Sequence, residues 1–530
     1  MIAIPQQLPD DVTALKDIIF NLSSLTNKYE KEIQYLEEKN KLLLQKLFGR
    51  KSEKLTPEDI LQGRLFDEPE FCSTPDKDES EEESEPVIVV SSYTRKKTGR
   101  KPLPESLPRV DVVHDISEKE KQCACGCEMK RIGEDVSEKL DIIPPKIQVL
   151  RHIRYKYACK NCEGSESDKA PVKIAPLPPQ IIPQGIVTPG LLAWVLVSKF
   201  CDALPFYRQE KIFARIGVEL SRATLSNWAI LAHRGCSRML ELMMDDIISS
   251  PFVGMDETTV QVMNEKNRKN TTKSYIWVSR GGTSDKPVVL FQYNPTRGGD
   301  FVNSEFKNFE GIIQTDGYQG YNALGEKEKV THAGCWAHVR RKFVEASGNS
   351  KGDNSFAHSM LAMIKKLYEV ESEIRDKKYS DEKILELRTK ESQPVVGKIG
   401  ELLEKHRHSI APKSLTGKAI TYALNLWPKL FVYLDNPQIP IDNNLVENAI
   451  RPFVIGRKNW LFSGSPRGAE ASAAIYSIIE SAKANGLEPY WYLRYLFEKL
   501  PACKSDDEIK LIMPNRINPE IIEKFRGGVN

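Results

Sequence analysis

From residue 249 the chain switches to short β-rich runs, and their order restricts the fold more than any other feature. FVGMDETTVQV (252–262), KSYIWVSRGG (273–282) and KPVVLFQYNP (286–295) follow one another with turn-forming residues between them. GGDFVNSEFKNF (298–309) then has helical character. The apolar run GIIQT (311–315) precedes Asp316, and KVTHAGC (329–335) leads into the basic helix WAHVRRKFVEA (336–346). Three consecutive strands followed by strands alternating with helices predict a mixed sheet with helices on its faces.

Asp256 sits inside the first of these runs, among Phe252, Val253, Val260 and Val262. Burying an unpaired carboxylate there is costly, so it needs a partner. Asp316 ends its run on an edge that Asp256 can reach from a neighbouring strand. Two converging carboxylates repel unless a cation lies between them. Mg²⁺ is bound by one or two carboxylates together with waters and phosphate oxygens. A third acid, Glu447, stands in IDNNLVENAIRPFVIGRKNWLFSGS (441–465), on a helix that Asp442 or Asn443 can start. Arg451, Arg457, Lys458 and Arg467 surround it, which suits a phosphate-rich site.

The chain has 530 residues, enough for several domains, and its net charge of +3 singles out no partner. The N-terminal MIAIPQQLPDDVTALK is not a signal peptide, and no apolar run reaches membrane-spanning length, so a cytoplasmic protein is expected. Leu15, Leu22, Tyr29, Leu36 and Leu43 recur every seven residues, and Ile19, Thr26, Ile33, Asn40 and Leu47 fill a second seam. This predicts a coiled coil over 11–48, and hence a homodimer or higher oligomer. Residues 49–105 read as a linker: acidic and low in complexity at DKDESEEESE, then basic at TRKKTGRKPLP. Arg100 and Lys101 there have the setting of an extended arm that enters a DNA minor groove.

Five of the ten cysteines fall between 106 and 175: Cys123, Cys125 and Cys127, then Cys159 and Cys162. The second group is a clean CxxC, and paired cysteines of this kind hold a structural Zn²⁺. Which members of the first group take part is left open by its spacing. IQVLRHIRYKY (147–157) alternates and predicts a strand running into the second group. Residues 176–248 read as helices. A turn at Gly217 and a cap at Ser221 separate two of them, the plan of a helix-turn-helix. Its second helix would show Arg222, Thr224, Ser226 and Asn227 to DNA and bury Leu225 and Trp228.

GMDET around Asp256, TDGYQGY around Asp316 and NNLVENAIRPFVIGRKNWLFSGS around Glu447 resemble the acidic triad of DDE transposases, most closely the insertion sequence 66 family. LFGRKSEKL, GRKPLPESLPR, IGEDVSEKLDIIP, the cysteine groups, CWAHVRRKF and GLEPYWYLRYLFEKLP resemble that family in the same order. The resemblance implies a ribonuclease-H-like core at 249–350 and 436–485, a helical insertion at 351–435 and a C-terminal tail at 486–530. It implies that Asp256, Asp316 and Glu447 hold two Mg²⁺ ions, with Mn²⁺ as a substitute. The implied reaction is cleavage at the ends of the protein's own mobile element and transfer of the strands into target DNA. Small accessory proteins and a nucleoid-associated bacterial setting are implied too. Glu257 and Asp442 are the alternative acids, and His338, Arg340 and Arg341 are further candidates for substrate contact. A binding protein without activity, or a nuclease of the same fold, are the competing readings. Phosphate contacts by these cations predict a steep fall of DNA affinity with salt. Equal binding at low and moderate salt, measured by fluorescence anisotropy, would remove the basic arm and the helix-turn-helix as DNA contacts.

Overall fold

The computed structural model describes residues 11, 13, 16, 19–26, 28, 29, 33, 36, 147–157, 173–348 and 356–528. The described residues between 13 and 36 are helical. Ile19, Leu22, Tyr29, Ile33 and Leu36 on that helix are each more than half exposed. Leu15, Asn40, Leu43 and Leu47 lie outside the described residues, as do Arg100, Lys101, Cys123, Cys125, Cys127, Cys159 and Cys162.

The segment 52–176 is a unit of its own. In it β1 (Lys156–Tyr157) pairs antiparallel with β2 (Lys173–Ile174). The strand expected over 147–157 is therefore confined to its last two residues. A strand needs partners for its N–H and C=O groups, and among the described residues only these two have them.

Beyond residue 176 the larger unit continues with three helices: α1 (Pro189–Phe200), α2 (Phe206–Arg215) and α3 (Arg222–Ile248). Gly217, at φ 81°, makes the turn between α2 and α3. Ser221 caps α3 by accepting from the Thr224 amide at 3.1 Å. Leu225, Trp228, Ala229, Ala232 and Cys236 repeat at helical spacing and are buried. The helix pair expected from the sequence is present, but α3 runs for 27 residues and its far half packs against the sheet.

The sheet contains β3 (Phe252–Gln261), β4 (Lys273–Thr283), β5 (Lys286–Asn294), β6 (Gly311–Thr315) and β7 (Val330–Gly334) in the order β5–β4–β3–β6–β7. β3, β4 and β5 form an antiparallel meander, and β6 and β7 run parallel to β3. This is the mixed sheet expected. Between its strands lie α4 (Gly299–Glu305) and α5 (Asn322–Gly325), and α6 (Trp336–Ser347) follows β7. Next come α7 (Phe356–Lys377), α8 (Asp381–Leu387), α9 (Gln393–His406) and α10 (Leu415–Leu430). The chain ends with α11 (Asn444–Trp460), α12 (Pro466–Ala484), α13 (Pro489–Lys499), α14 (Asp506–Leu511) and α15 (Pro519–Gly528).

Two hydrophobic cores result. One joins α1, α3, α11, α12, α13 and the sheet, so the expected boundaries at 248 and 485 fall within a single core. The other joins α6 to α7, α9 and α10. β5 is an edge strand, and α12 covers that edge with a ladder of side chains. Ser481 and Ser477 accept from the Val289 and Phe291 amides at 2.9 and 2.8 Å, and Asn485 donates to the Pro287 carbonyl at 2.8 Å. Polar groups of an exposed edge invite pairing with other chains, and here they are satisfied within the fold.

One buried cation ties the insertion to the segment that precedes α11. Arg388 sits in a π-helical turn (Arg388–Ser392), its side chain 2% exposed. It pairs with Glu371 at 2.8 and 2.7 Å and donates to the carbonyls of Asn436 at 2.8 Å and Ile439 at 3.1 Å. Arg388→Met leaves Glu371 and these carbonyls without a donor, and is expected to destabilise by about 3–5 kcal/mol. Denaturant unfolding measures this. The double variant Arg388→Met/Glu371→Leu should recover part of the loss.

Candidate active site

The parallel register pairs Phe252 with Ile312, Val253 with Ile313 and Gly254 with Gln314. Continued by two residues, it sets Asp256 level with Asp316, where β6 has ended and β3 runs on. Asp316 accepts from the Tyr318 amide at 2.8 Å, and Tyr422 on α10 donates to its carbonyl. The Asp256 carboxylate accepts from the Glu257 amide at 2.8 Å.

Glu447 reaches the same place from the first turn of α11. Asn443, just before that helix, donates its side-chain amide to the Met255 carbonyl at 2.8 Å. Its backbone amide donates to the Cys335 sulfur at 3.3 Å. Gly254 makes this approach feasible: a Cβ there would lie 2.5 Å from Val446 Cγ2 and 2.7 Å from Asn443 Oδ1. The glycine before the acid in GMDET thus serves the acid that lies almost two hundred residues later.

The electrostatics agree with this convergence. The Asp256 carboxyl is pushed up to about 8, first by burial and then by Glu257, Glu447 and Asp316. Arg341 on α6 donates to Glu447 Oε2, with the Glu447 side chain 14% exposed. His338 Nε2 accepts from Arg341 at 3.3 Å, which puts the proton of the neutral ring on Nδ1, 3.7 Å from Glu447 Oε1. Burial lowers the His338 pKa, and Glu447 opposes this. Cys335 Sγ, a His338 ring nitrogen and a Glu447 oxygen lie within 4.8 Å of one another. Glu447 Oε1 and His338 Nδ1 are both buried without a hydrogen-bond partner. An unsatisfied Glu447 oxygen, with Asp316 and Glu447 both close enough to raise the Asp256 pKa, fits a divalent cation.

The alternative acids are otherwise engaged. Glu257 pairs with Arg297 Nε at 2.7 Å and accepts from Tyr321. Asp442 accepts from Asn444 at 3.1 and 2.9 Å at the start of α11. On α3, Arg222 and Asn227 are exposed and Thr224 is half-buried. Arg340 is half-buried on α6, and Arg451 is half-buried on α11. Lys458 is exposed. Arg457 donates to Thr258 Oγ1 at 2.9 Å and to the Thr259 carbonyl, which fastens α11 along β3. Sequence reasoning missed Gly254, Cys335 and Arg297, and placed Asn443 at the helix start without its bond to Met255. Only Cys335 left a signal, the spacing of CWAH at the start of a helix.

Residues 184–471, more than half of the chain, match the family described as Transposase IS66 family. The chain belongs to the IS66 transposase family. Three further segments match other parts of IS66 proteins. Residues 120–163 match the zinc-finger binding domain of transposase IS66, and this stretch holds all five clustered cysteines. It supports a structural zinc ion. Residues 35–112 match a segment described as Transposase C of IS166 homeodomain, and 477–514 match the IS66 C-terminal element. Among similar proteins is the uncharacterized protein y4qI of Sinorhizobium fredii, 34% identical over 455 residues, covering 82% of each chain. The uncharacterized protein y4jD of the same organism is 30% identical over 527 residues, covering 96% of this chain and 97% of its own. Membership brings DNA binding and an insertion sequence with it. Among the described residues no helix is long and apolar enough to cross a membrane.

The raised Asp256 pKa has a testable sign. The folded protein holds this proton more tightly than the unfolded chain, so stability without metal falls as pH rises from about 4 through about 8. Asp256→Asn removes that loss. In metal-free buffer it should melt several degrees above the parent protein at pH 9, with the difference closing toward pH 4. A difference independent of pH would show that Asp256 does not titrate this way.

Proposed function

We propose that this IS66 family member is a DDE transposase whose core is ribonuclease-H-like. Asp256, Asp316 and Glu447 form its metal-binding triad, and it cleaves DNA at the element's ends and joins the strands to target DNA. The observation that carries the reading is the convergence of the three acids. One comes from the middle strand, one from the end of the parallel neighbour, and one from a helix docked on Gly254. The order β5–β4–β3–β6–β7, with three antiparallel strands and two parallel ones, supports the ribonuclease-H-like core.

Two Mg²⁺ ions, or Mn²⁺ in their place, would supply charge for activating the attacking oxygen and stabilising the leaving one. The protein's part is to hold the acids at fixed separation and to manage their protons. Asp256 holds a proton that binding of a cation would displace. Arg341 neutralises Glu447 until then, and with Arg340 it offers positive charge to the DNA backbone. Arg451 and Lys458 on α11 extend that charge, and Arg457 keeps α11 aligned with β3. Arg222, Thr224 and Asn227 at the start of α3 read DNA, and Arg100 and Lys101 form a basic arm. Cys159 and Cys162 complete a zinc site with two of Cys123, Cys125 and Cys127. The seam through Leu22, Tyr29 and Leu36 is exposed in the single chain, which supports pairing of two copies over 11–48. Accessory proteins of the element are further partners.

Cleavage of a duplex carrying the element's end, with Mg²⁺, tests the triad. Asp256→Asn, Asp316→Asn and Glu447→Gln should each lower the rate by at least about a hundredfold while DNA binding stays within a few-fold. Equal cleavage by all four proteins would end the assignment. Joined products from a labelled, pre-cut end distinguish a transposase from a nuclease.

A further inference from the structure

The turn after α11 presents two large apolar side chains to solvent. Leu461 is 67% exposed and Phe462 47% exposed. Leu461 has φ 66° and ψ −47°, and the Phe462 amide donates to the Trp460 carbonyl at 2.8 Å. That is a γ-turn in its rare, strained form at a residue with a Cβ. Strain of this kind persists only where the surroundings enforce it.

Here they do so on both sides. Trp460 packs edge-on to Phe200, with ring centroids 6.3 Å apart, and Lys199 Nζ lies 5.2 Å from its ring centre. Beyond the turn, the Ser463 amide donates to the Gln261 carbonyl and the Met263 amide to the Ser463 carbonyl, each at 2.9 Å. Asn264 donates its side-chain amide to the Gly464 carbonyl at 3.1 Å. Leu461 and Phe462 therefore project from a turn clamped between the core and the far end of β3. Two exposed cations flank them in the chain, Lys458 three residues before Leu461 and Arg467 five after Phe462.

We infer that Leu461 and Phe462 form a wedge that packs against an unstacked base of the bound DNA. Apolar side chains inserted between base steps, with cations on the neighbouring phosphates, are a recurrent way of holding distorted DNA. The position follows from the fold and rests on the reading of Asp256 as the cleavage site. Asp256 lies five residues before Gln261 on β3, about 17 Å at roughly 3.3 Å per residue. Glu447 lies thirteen residues before Trp460 on α11, about 20 Å at roughly 1.5 Å per residue. Both routes give about five to six nucleotides from the scissile phosphate, at roughly 3.4 Å per nucleotide.

The test uses the full chain carrying Glu447→Gln, so that DNA stays uncut. It is bound to a duplex of the element's end with 2-aminopurine walked from two to ten nucleotides from the cleavage position. Fluorescence should rise most at five to six nucleotides. Adding Phe462→Ala should abolish that rise and weaken DNA binding roughly tenfold. Phe462 is exposed, so an unchanged melting temperature is expected and confirms folding. An undiminished rise in the Phe462→Ala protein, or a maximum elsewhere, overturns the inference. So does a changed sedimentation mass with unchanged fluorescence, which would give the patch to a protein partner. Cleavage by Glu447→Gln equal to the parent would refute the triad, while a Phe462-dependent signal would still stand.

Discussion

The hydrogen bond from Asn443 to the Met255 carbonyl, at 2.8 Å, is the contact on which the site depends. It docks the start of α11 on β3 beside Asp256, and the missing side chain of Gly254 leaves room for it. Everything between β6 and α11 has to return the chain to this point. The second hydrophobic core does so with α6, α7, α9 and α10, and Arg388 gathers the carbonyls just before the return. Gln314 adds a tie from β6 to the Pro440 carbonyl at 2.8 Å, close to the acid it helps to deliver. A buried arginine with its charge paired and its donors used is a costly anchor to disturb, and it specifies one path for the chain.

Bringing three acids together stores repulsion. The fold relieves it in three ways. Asp256 keeps its proton well above the usual carboxylate range. Glu447 takes the guanidinium of Arg341. Glu257, one residue from Asp256, is occupied by Arg297 and Tyr321. The first two are a bound proton and an ion pair whose arginine is 44% exposed. The third is a structural pair whose carboxylate is almost wholly buried, at 2% exposure. Side-chain alternation along a strand sends consecutive residues to opposite faces. That sets Asp256 apart from Glu257, whose carboxylate is built into the fold.

The strands were legible because each is a short β-rich run between turn residues. β3 to β7 fall where FVGMDETTVQV, KSYIWVSRGG, KPVVLFQYNP, GIIQT and KVTHAGC stand. The cap at Ser221 and the burial of Leu225 and Trp228 were legible for the same local reason. What could not be read was whatever depends on distant partners. Nothing local marks Gly254 as the seat of a helix, Asn443 as its clasp, or Arg457 as a fastener to Thr258 rather than a free cation. The sharing of one core by α1, α3, α13 and the sheet is equally invisible, because an apolar helix face does not say which surface covers it. The strand expected at 147–157 erred the other way. Its alternation was real, but among the described residues only Lys156 and Tyr157 are paired.

Leu461 shows how far local and distant constraints can disagree. Sequence preference alone would put glycine at φ 66°, and a leucine there is strained. The turn is nevertheless held by Trp460 in the core and by Ser463 paired with β3. Arg457 adds a third hold from the last turns of α11. These contacts would tolerate glycine at 461 equally well, since none involves the Leu461 side chain. Folding therefore gives no reason for a large apolar residue at this position. Its neighbour Phe462 is exposed as well, and the far end of β3 carries both out beyond the acids. A rigid platform that holds side chains the fold does not use is a structural element addressed to something outside the fold.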